Sequence, residues 1–167
     1  VHFAGGLSFE DVLRLVALRG EAMQEACDEE PSGMASVMGL DRESLEEVCE
    51  DTRGAEVLVI GNHNAPGQFV LSGNLAALRR AEEAALAGGA RKVTHLKVAG
   101  AFHSPLMEPA RERLGRAIEE AVWSEPNLPV LINVGACRAD SAEAIREGLV
   151  RQLVAPVRWC DSMSTLG

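Results

Sequence analysis

The 167 residues are 47% hydrophobic and 25% charged, with four Phe, two Trp and no Tyr, proportions that exclude a disordered, collagenous or coiled-coil chain. The 16 Lys and Arg against 25 Asp and Glu leave a net charge of -9, which opposes binding to nucleic acid or to an anionic membrane through the overall field. No apolar run approaches the roughly 18 residues of a spanning helix and no signal-like order opens the chain, so a cytoplasmic protein is expected, with no nucleic acid and no membrane among its partners.

Cys27, Cys49, Cys137 and Cys160 form no close pair, so neither a metal site nor a redox motif is expected and the thiols are read as free. The chain opens at Val1 without Met and stops at Gly167 just after a new helix begins, which reads like a fragment of a longer polypeptide.

Ser8, followed by Phe9, Glu10 and Asp11, predicts a helix entry, because a Ser oxygen accepts from an orphan amide and carboxylates favour the positive end of the dipole. The helix is expected to run to about Ala26 with an apolar stripe of Val12, Leu15, Val16, Met23 and Ala26, spaced by three and four. Arg19 lies in that stripe. Pro31 to Gly33 break the chain. A strand is then predicted over 34–40, a helix capped by Asp41 over 41–51, and a strand over 56–61. Asn64 to Gly67 mark a turn, 68–72 a strand, 74–87 an alanine-rich helix stopped by Gly88 and Gly89, and 92–98 a further strand.

This β-α-β-β-α-β order is the split pattern of a ferredoxin-like unit. The segments on either side need another core, and the simplest arrangement is an α/β chain whose larger lobe is interrupted by an α+β insertion. Beyond it, Ser104 and Pro105 predict the cap and first turn of a helix reaching about Val122, with Glu112 and Arg116 paired at i, i+4. A buried strand over 130–134 and a capping box of Asp140 with Glu143, opening a helix to Leu153, complete an alternation that suggests a parallel sheet.

Four places could carry chemistry. A guanidinium in an apolar stripe, as at Arg19, either snorkels or pairs with a structural carboxylate, or else grips an acidic ligand through two parallel hydrogen bonds. His103 stands between strand and helix, where open α/β sheets expose side chains to ligands. It is either structural or a general base, and the second role needs a nucleophile in reach and an acceptor on its other ring nitrogen. The polar stretch Asn62 to Gly67 is either turn chemistry or part of a ligand cleft, and Gln152, near a helix end, says nothing alone. No serine stands in Gly-x-Ser-x-Gly and no glycine-rich phosphate loop is present.

Taken together, Ala4-Gly-Gly-Leu-Ser-Phe-Glu-Asp, Leu18-Arg-Gly-Glu-Ala-Met-Gln, Asn64-Ala-Pro-Gly-Gln, Gly100-Ala-Phe-His-Ser-Pro-Leu-Met and Arg151-Gln-Leu-Val-Ala-Pro-Val-Arg-Trp resemble the malonyl-CoA:acyl-carrier-protein transacylases in order and approximate separation. The resemblance implies part of an α/β-hydrolase-like lobe, residues 1–30 and 99–167, carrying an inserted ferredoxin-like lobe over 31–98. It implies transfer of malonyl from coenzyme A to an enzyme serine and then to the phosphopantetheine thiol of acyl carrier protein. Malonyl-CoA and acyl carrier protein are the implied partners, and no cofactor is needed beyond the thioester substrate.

By the same resemblance His103 is the general base, Gln152 the residue whose backbone carbonyl holds its tautomer, and Arg19 the group that binds the malonyl carboxylate. Phe102 is implied to crowd an α-methyl branch, and Asn62 and Asn64 to line the same cleft. The family's serine elbow and oxyanion hole lie upstream of the helix that begins here at Ser8, so the chain alone is expected to be inactive. Arg79, Arg80, Arg91 and Lys92 are a conjectural basic patch for an acidic carrier. A reading of a different class is a non-catalytic ligand-binding or assembly module built on the ferredoxin-like lobe.

Overall fold

In the computed structural model, which describes residues 1–166, the first helix, α1 (Phe9–Glu29), starts where Ser8 accepts from the Asp11 amide. Its apolar stripe is buried only in the second half, at Ala22, Met23, Ala26 and Cys27. In the first half Phe9, Leu13 and Val16 are exposed, so Val16, expected in the stripe, lies off the packed face.

Four strands follow: β1 (Ser32–Met38), β2 (Leu58–Ala65), β3 (Gln68–Asn74) and β4 (Lys92–His95). They form one sheet in the order β2-β3-β1-β4 with every neighbour antiparallel. Because side chains alternate along a strand, Ala35 and Val37 of β1, Phe69 and Leu71 of β3 and Leu58 of β2 gather on one face. Helices α2 (Arg42–Arg53) and α3 (Leu75–Ala87) cover that face with Leu45, Cys49, Ala77, Leu78 and Ala81. Each fully buried leucine contributes about 1.5–3 kcal/mol. Burial pushes the Cys49 thiol up to about 12, so this cysteine acts as a small apolar side chain. Asp41 caps α2 by accepting from the Ser44 amide, as its position predicts.

Three details of this region differ from the sequence expectations. Strand β2 runs on through Asn62, His63 and Asn64, with bulges on either side, and the turn narrows to Pro66 and Gly67, the glycine at φ 68°. The stretch from Asn62 is therefore mostly ladder. Strand β4 stops at His95, one last amide bond from Leu96 to Met34 following it before 97–99 cross toward the second half of the chain. Arg80, one of the conjectured basic patch, is committed to the Thr52 and Arg53 carbonyls and to Glu56.

A second apolar cluster joins α1 to α4 (Glu108–Glu120) through Ala22, Met23, Ala26, Cys27, Met107, Ala110, Leu114 and Ile118, with Leu153 closing it. A 3-10 turn, Pro105–Met107, capped by Ser104, precedes α4, and α4 ends at Glu120 rather than Val122. The expected Glu112–Arg116 pair is not among the ion pairs of the described residues. Arg111 bonds Glu108 instead, and Arg113 reaches across to Glu21 and Glu25 of α1.

The expected parallel sheet is absent among the described residues. Half-buried β5 (Val130–Ile132) pairs antiparallel with β6 (Cys137–Ala139) across a tight turn in which Gly135 and Ala136 both have positive φ. The cap of α5 (Ala142–Gln152) is Ser141, which accepts from Ala144, while Asp140 pairs with Arg138. The last helix, α6 (Trp159–Leu166), packs on β2. No helix is long and apolar enough to cross a membrane.

Gly73 lies so close to β2 that a Cβ would land on the Val57 carbonyl oxygen. Gly73→Ala must part the two strands, at an expected cost of about 1–3 kcal/mol. A urea melt reads this directly, and an unchanged midpoint would contradict the β2–β3 register.

Candidate active site

The sheet has a second face, and what lies against it is the loop from Gly100 to Ser104. A Cβ on Gly100 would meet Cys27 Sγ at 2.5 Å and Ser32 Oγ at 3.1 Å, and one on Gly61 would meet the Phe102 carbonyl at 3.3 Å. Glycine at these two positions lets α1, β1, β2 and the loop approach closely.

At the end of this loop His103 has φ 59°, a left-handed conformation that costs a non-glycine residue about 1–3 kcal/mol and persists only where surroundings impose it. The half-buried ring lies with Nδ1 at 3.0 Å from the Gln152 backbone oxygen. A carbonyl only accepts, so Nδ1 carries the hydrogen and Nε2 is left with its lone pair free. Gln152 is the last residue of α5, where carbonyls lack partners within the helix and the dipole is negative. Its side-chain amide donates to the Ala155 carbonyl at 2.9 Å, and this fixes the exit that Pro156 enforces.

Arg19, half-buried on α1, lines a cleft of about 350 Å³ together with Val12, Leu15, Leu149, Gln152 and Leu153. Among the described residues no carboxylate pairs with it. Burial pushes the His103 imidazole below the usual histidine range, with the Arg19 charge acting in the same direction and the Gln152 and, more weakly, Ala155 backbone carbonyls against both. The structure thus brings together three of the predicted residues, His103, Gln152 and Arg19: Gln152 touches the first and shares a cleft with the second.

The remaining candidates stand apart from this contact. Phe102 packs its ring against the second apolar cluster, so part of its role is core packing. Asn62 sits on β2 beside Val157 in a single parallel bridge, flanked by backbone bonds from His63 to Val157 and from Val157 to Gly61. That bridge ties the segment after Gln152 to the strand that passes Phe102. Asn64 lies in the bulged end of the same strand. Neither asparagine has a side-chain bond among the described residues.

A neighbouring cluster escaped the sequence reading because its members are scattered over four elements, α2, β2, β3 and α6. His63 stacks on Phe69 at 4.6 Å between ring centres and lies 3.2 Å from Arg42 Nη2 and 3.4 Å from Asp161 Oδ1 through the same Nδ1. Arg158 donates to the other Asp161 oxygen at 2.7 Å, and this holds the Asp161 carboxyl below the usual carboxylate range. With Cys160, His63 and Asp161 place their ligand atoms within 4.8 Å of one another. Two guanidinium groups at the same spot oppose a cation, so the cluster reads as a polar latch between α6 and β2.

The acyl transferase domain family matches residues 1–166. Over 161 residues, 96% of this chain and 52% of the relative, the chain is 41% identical to a malonyl CoA-acyl carrier protein transacylase of Salmonella typhimurium. A crystal structure of malonyl-CoA:acyl carrier protein transacylase from Xanthomonas oryzae pv. oryzae matches 98% of this chain and 52% of that one at 40% identity and TM-score 0.93. A malonyl-transacylase in complex with its type II acyl-carrier protein matches 98% of this chain and 53% of that one, at 39% identity and TM-score 0.94. The chain spans about half the length of the curated relatives it matches.

Titration of the His103 ring by NMR should give a midpoint below 6.5. Arg19→Gln should raise that midpoint part of the way, since burial is the larger cause. The unfolded chain then takes up this proton before the folded one does. The contribution of His103 to stability is therefore complete above its unfolded value and declines as pH falls through the folded one. A midpoint at or above 6.5 would contradict the buried, Nδ1-bonded ring.

Proposed function

The chain belongs to the acyl transferase domain family, and we propose that it forms the base-bearing part of an enzyme that moves malonyl from coenzyme A to the phosphopantetheine thiol of acyl carrier protein. The observation that carries this is the His103–Gln152 bond, which leaves Nε2 unprotonated and joins His103 to the residue that lines the cleft of the unpaired Arg19 guanidinium. A non-catalytic module has no use for a strained histidine with its outer nitrogen bare. The nucleophilic serine is placed by this proposal outside the 167 residues. The coenzyme A thioester is the substrate and no further cofactor enters the chemistry.

In the first half-reaction the serine hydroxyl attacks the thioester carbonyl while His103 Nε2 takes its proton. The Gln152 carbonyl and the negative end of α5 stabilise the imidazolium. When the tetrahedral adduct collapses, the carbon–sulfur bond breaks, the imidazolium returns the proton to the leaving thiol, and an acyl-serine remains. The second half repeats the cycle with the carrier thiol as nucleophile, which leaves the serine free. Arg19 is proposed to take the malonyl carboxylate through two parallel hydrogen bonds, a geometry that lysine cannot copy.

Phe102 and the strand carrying Asn62 and Asn64 are proposed to border the acyl pocket, with Phe102 disfavouring an α-methyl branch. One methyl-sized contact is worth only about 1–3 kcal/mol, so this preference is modest. For the architecture, we propose that 31–98 form a ferredoxin-like lobe inserted in a hydrolase-like lobe made of 1–30 and 99–167. The β2-β3-β1-β4 order with two helices on one face and a separate apolar cluster supports this.

In the complete protein, His103→Ala is expected to lower kcat for malonyl transfer to acyl carrier protein by about 10²–10⁴-fold. Arg19→Lys should raise KM for malonyl-CoA and reduce the preference for malonyl over acetyl thioesters by about ten-fold or more, as loss of a charge-assisted pair implies. Unaltered transfer in both variants would overturn the assignment.

A further inference from the structure

Strand β3 reads Phe69-Val70-Leu71-Ser72, and the serine that interrupts this apolar run is fully buried in mid-sheet. A buried hydroxyl needs a partner, and here the partner is not in the sheet. Ser72 Oγ donates to the Phe102 carbonyl at 2.6 Å, across 30 positions. That carbonyl belongs to the peptide unit joining Phe102 to His103. The next rotatable bond is the N–Cα bond of His103, whose angle is the positive φ.

The neighbouring groups are held in the same way. Ser32 Oγ, at the start of β1, accepts from the Ala101 amide at 3.1 Å, and Ser104 Oγ donates to the Ala101 carbonyl at 2.6 Å. Three hydroxyls therefore fix the backbone directly before the imidazole. Of these, only the Ser72 bond acts on the peptide plane about which His103 turns.

We propose that Ser72 is a positioning residue for His103: by pinning the Phe102–His103 peptide it holds the ring on the Gln152 carbonyl, which leaves Nε2 as the free acceptor. This rests on the reading of His103 as the base. Without the hydroxyl the peptide is free to flip, φ relaxes to negative values, and the imidazole leaves the acceptor that fixes its tautomer. A serine serving only to satisfy a buried carbonyl would lower stability when removed and leave the chemistry of the folded enzyme as it was.

The test is Ser72→Ala in the complete protein, with Ser36→Ala as control. Ser36 lies on the same face of β1 as Ser32, and its hydroxyl has no bond among the described residues. Ser72→Ala is expected to lower kcat by about ten- to a hundred-fold, as a displaced catalytic group does, with KM for the thioester changed by no more than about two-fold. The acidic limb of the kcat profile should move up toward 6.5 as the ring becomes solvated. Ser72→Cys, similar in shape but a weak donor, should fall between the two. If Ser72→Ala does not fold, Ser32→Ala, which frees the peptide two units earlier, should show the same signature more weakly. A lowered melting temperature with kcat and acidic limb unchanged would overturn the proposal and leave the base assignment intact. Retention of transfer in His103→Ala would overturn the base assignment itself.

Discussion

The hydrogen bond from His103 Nδ1 to the Gln152 carbonyl spans 49 positions of chain, and each end of it is set by a different core. The carbonyl is available because α5 ends there, and the residue whose amide a longer helix would offer it is Pro156, which has no N–H and whose ring would clash with it. The donor is available because the Gly100–Ser104 loop is pressed between the sheet and α1 through two glycines. Neither half achieves much alone. A loose loop would let the ring adopt either tautomer, and a helix one turn longer would bond its own carbonyl. The bond also sets up opposing influences on the proton: burial and Arg19 disfavour the imidazolium, while the carbonyl favours it. Burial is the largest of these influences, so the ring is held neutral to lower pH than a solvated histidine and its second nitrogen stays free to accept a proton.

Much of this was legible in the sequence, for identifiable reasons. Ser8 and Asp41 cap the helices they predict because an oxygen two or three residues before an orphan amide is a local relation. The order of elements through β4 was legible because the hydrophobic period changes cleanly at Pro31, at the Asn64 to Gly67 turn and at Gly88. The five motif blocks led to the family that matches 1–166. What failed was non-local. Asp140 and Ser141 are both capping residues, and which one caps depends on where Arg138 places its charge. The β5–β6 hairpin turns through Ala136 at positive φ, a residue type that gives no warning of such a turn. Val16 has the right spacing for the core, yet it is exposed, because the α4 cluster takes Leu15 and Leu18 of the first half of α1 and not the face that carries Val16. The His103–Gln152 contact itself came from the resemblance, since neither residue declares a partner by its own position.

Charge makes the same distinction between local and distant effects. A chain with net charge -9 repels an acidic ligand at long range, but within a Debye length of about 8–10 Å the nearest groups decide. Most carboxylates near α1 are already occupied: Glu21 and Glu25 hold Arg113 of α4, and Glu10 and Asp11 hold Arg14. Arg19 is left out of these pairings while sitting against leucines in a cleft. Its desolvation is therefore offset by no partner of its own in the described residues, a state that a carboxylate ligand would relieve. Within the conjectured basic patch, Arg80 lacks this property. Arg80 is spent on holding the end of α2 to the sheet and to Glu56.

The two faces of the antiparallel sheet carry different kinds of side chain because they solve different problems. Toward α2 and α3 the strands present Ala35, Val37, Phe69 and Leu71, a surface whose only demand is exclusion of water. Toward the His103 loop β3 presents Ser72 and β1 begins with Ser32, and Gly61 of β2 leaves room for the Phe102 carbonyl. Backbone polar groups cannot be buried against an apolar face without partners, so an irregular loop can lie here only if the strands supply hydroxyls where a sheet would ordinarily supply methyl groups. Each such serine gives up apolar burial on its own strand in exchange for one fixed peptide in the loop. The rigidity of the first core is in this way transmitted to a residue that belongs to neither core, and the loop inherits its geometry from the sheet rather than from its own sequence.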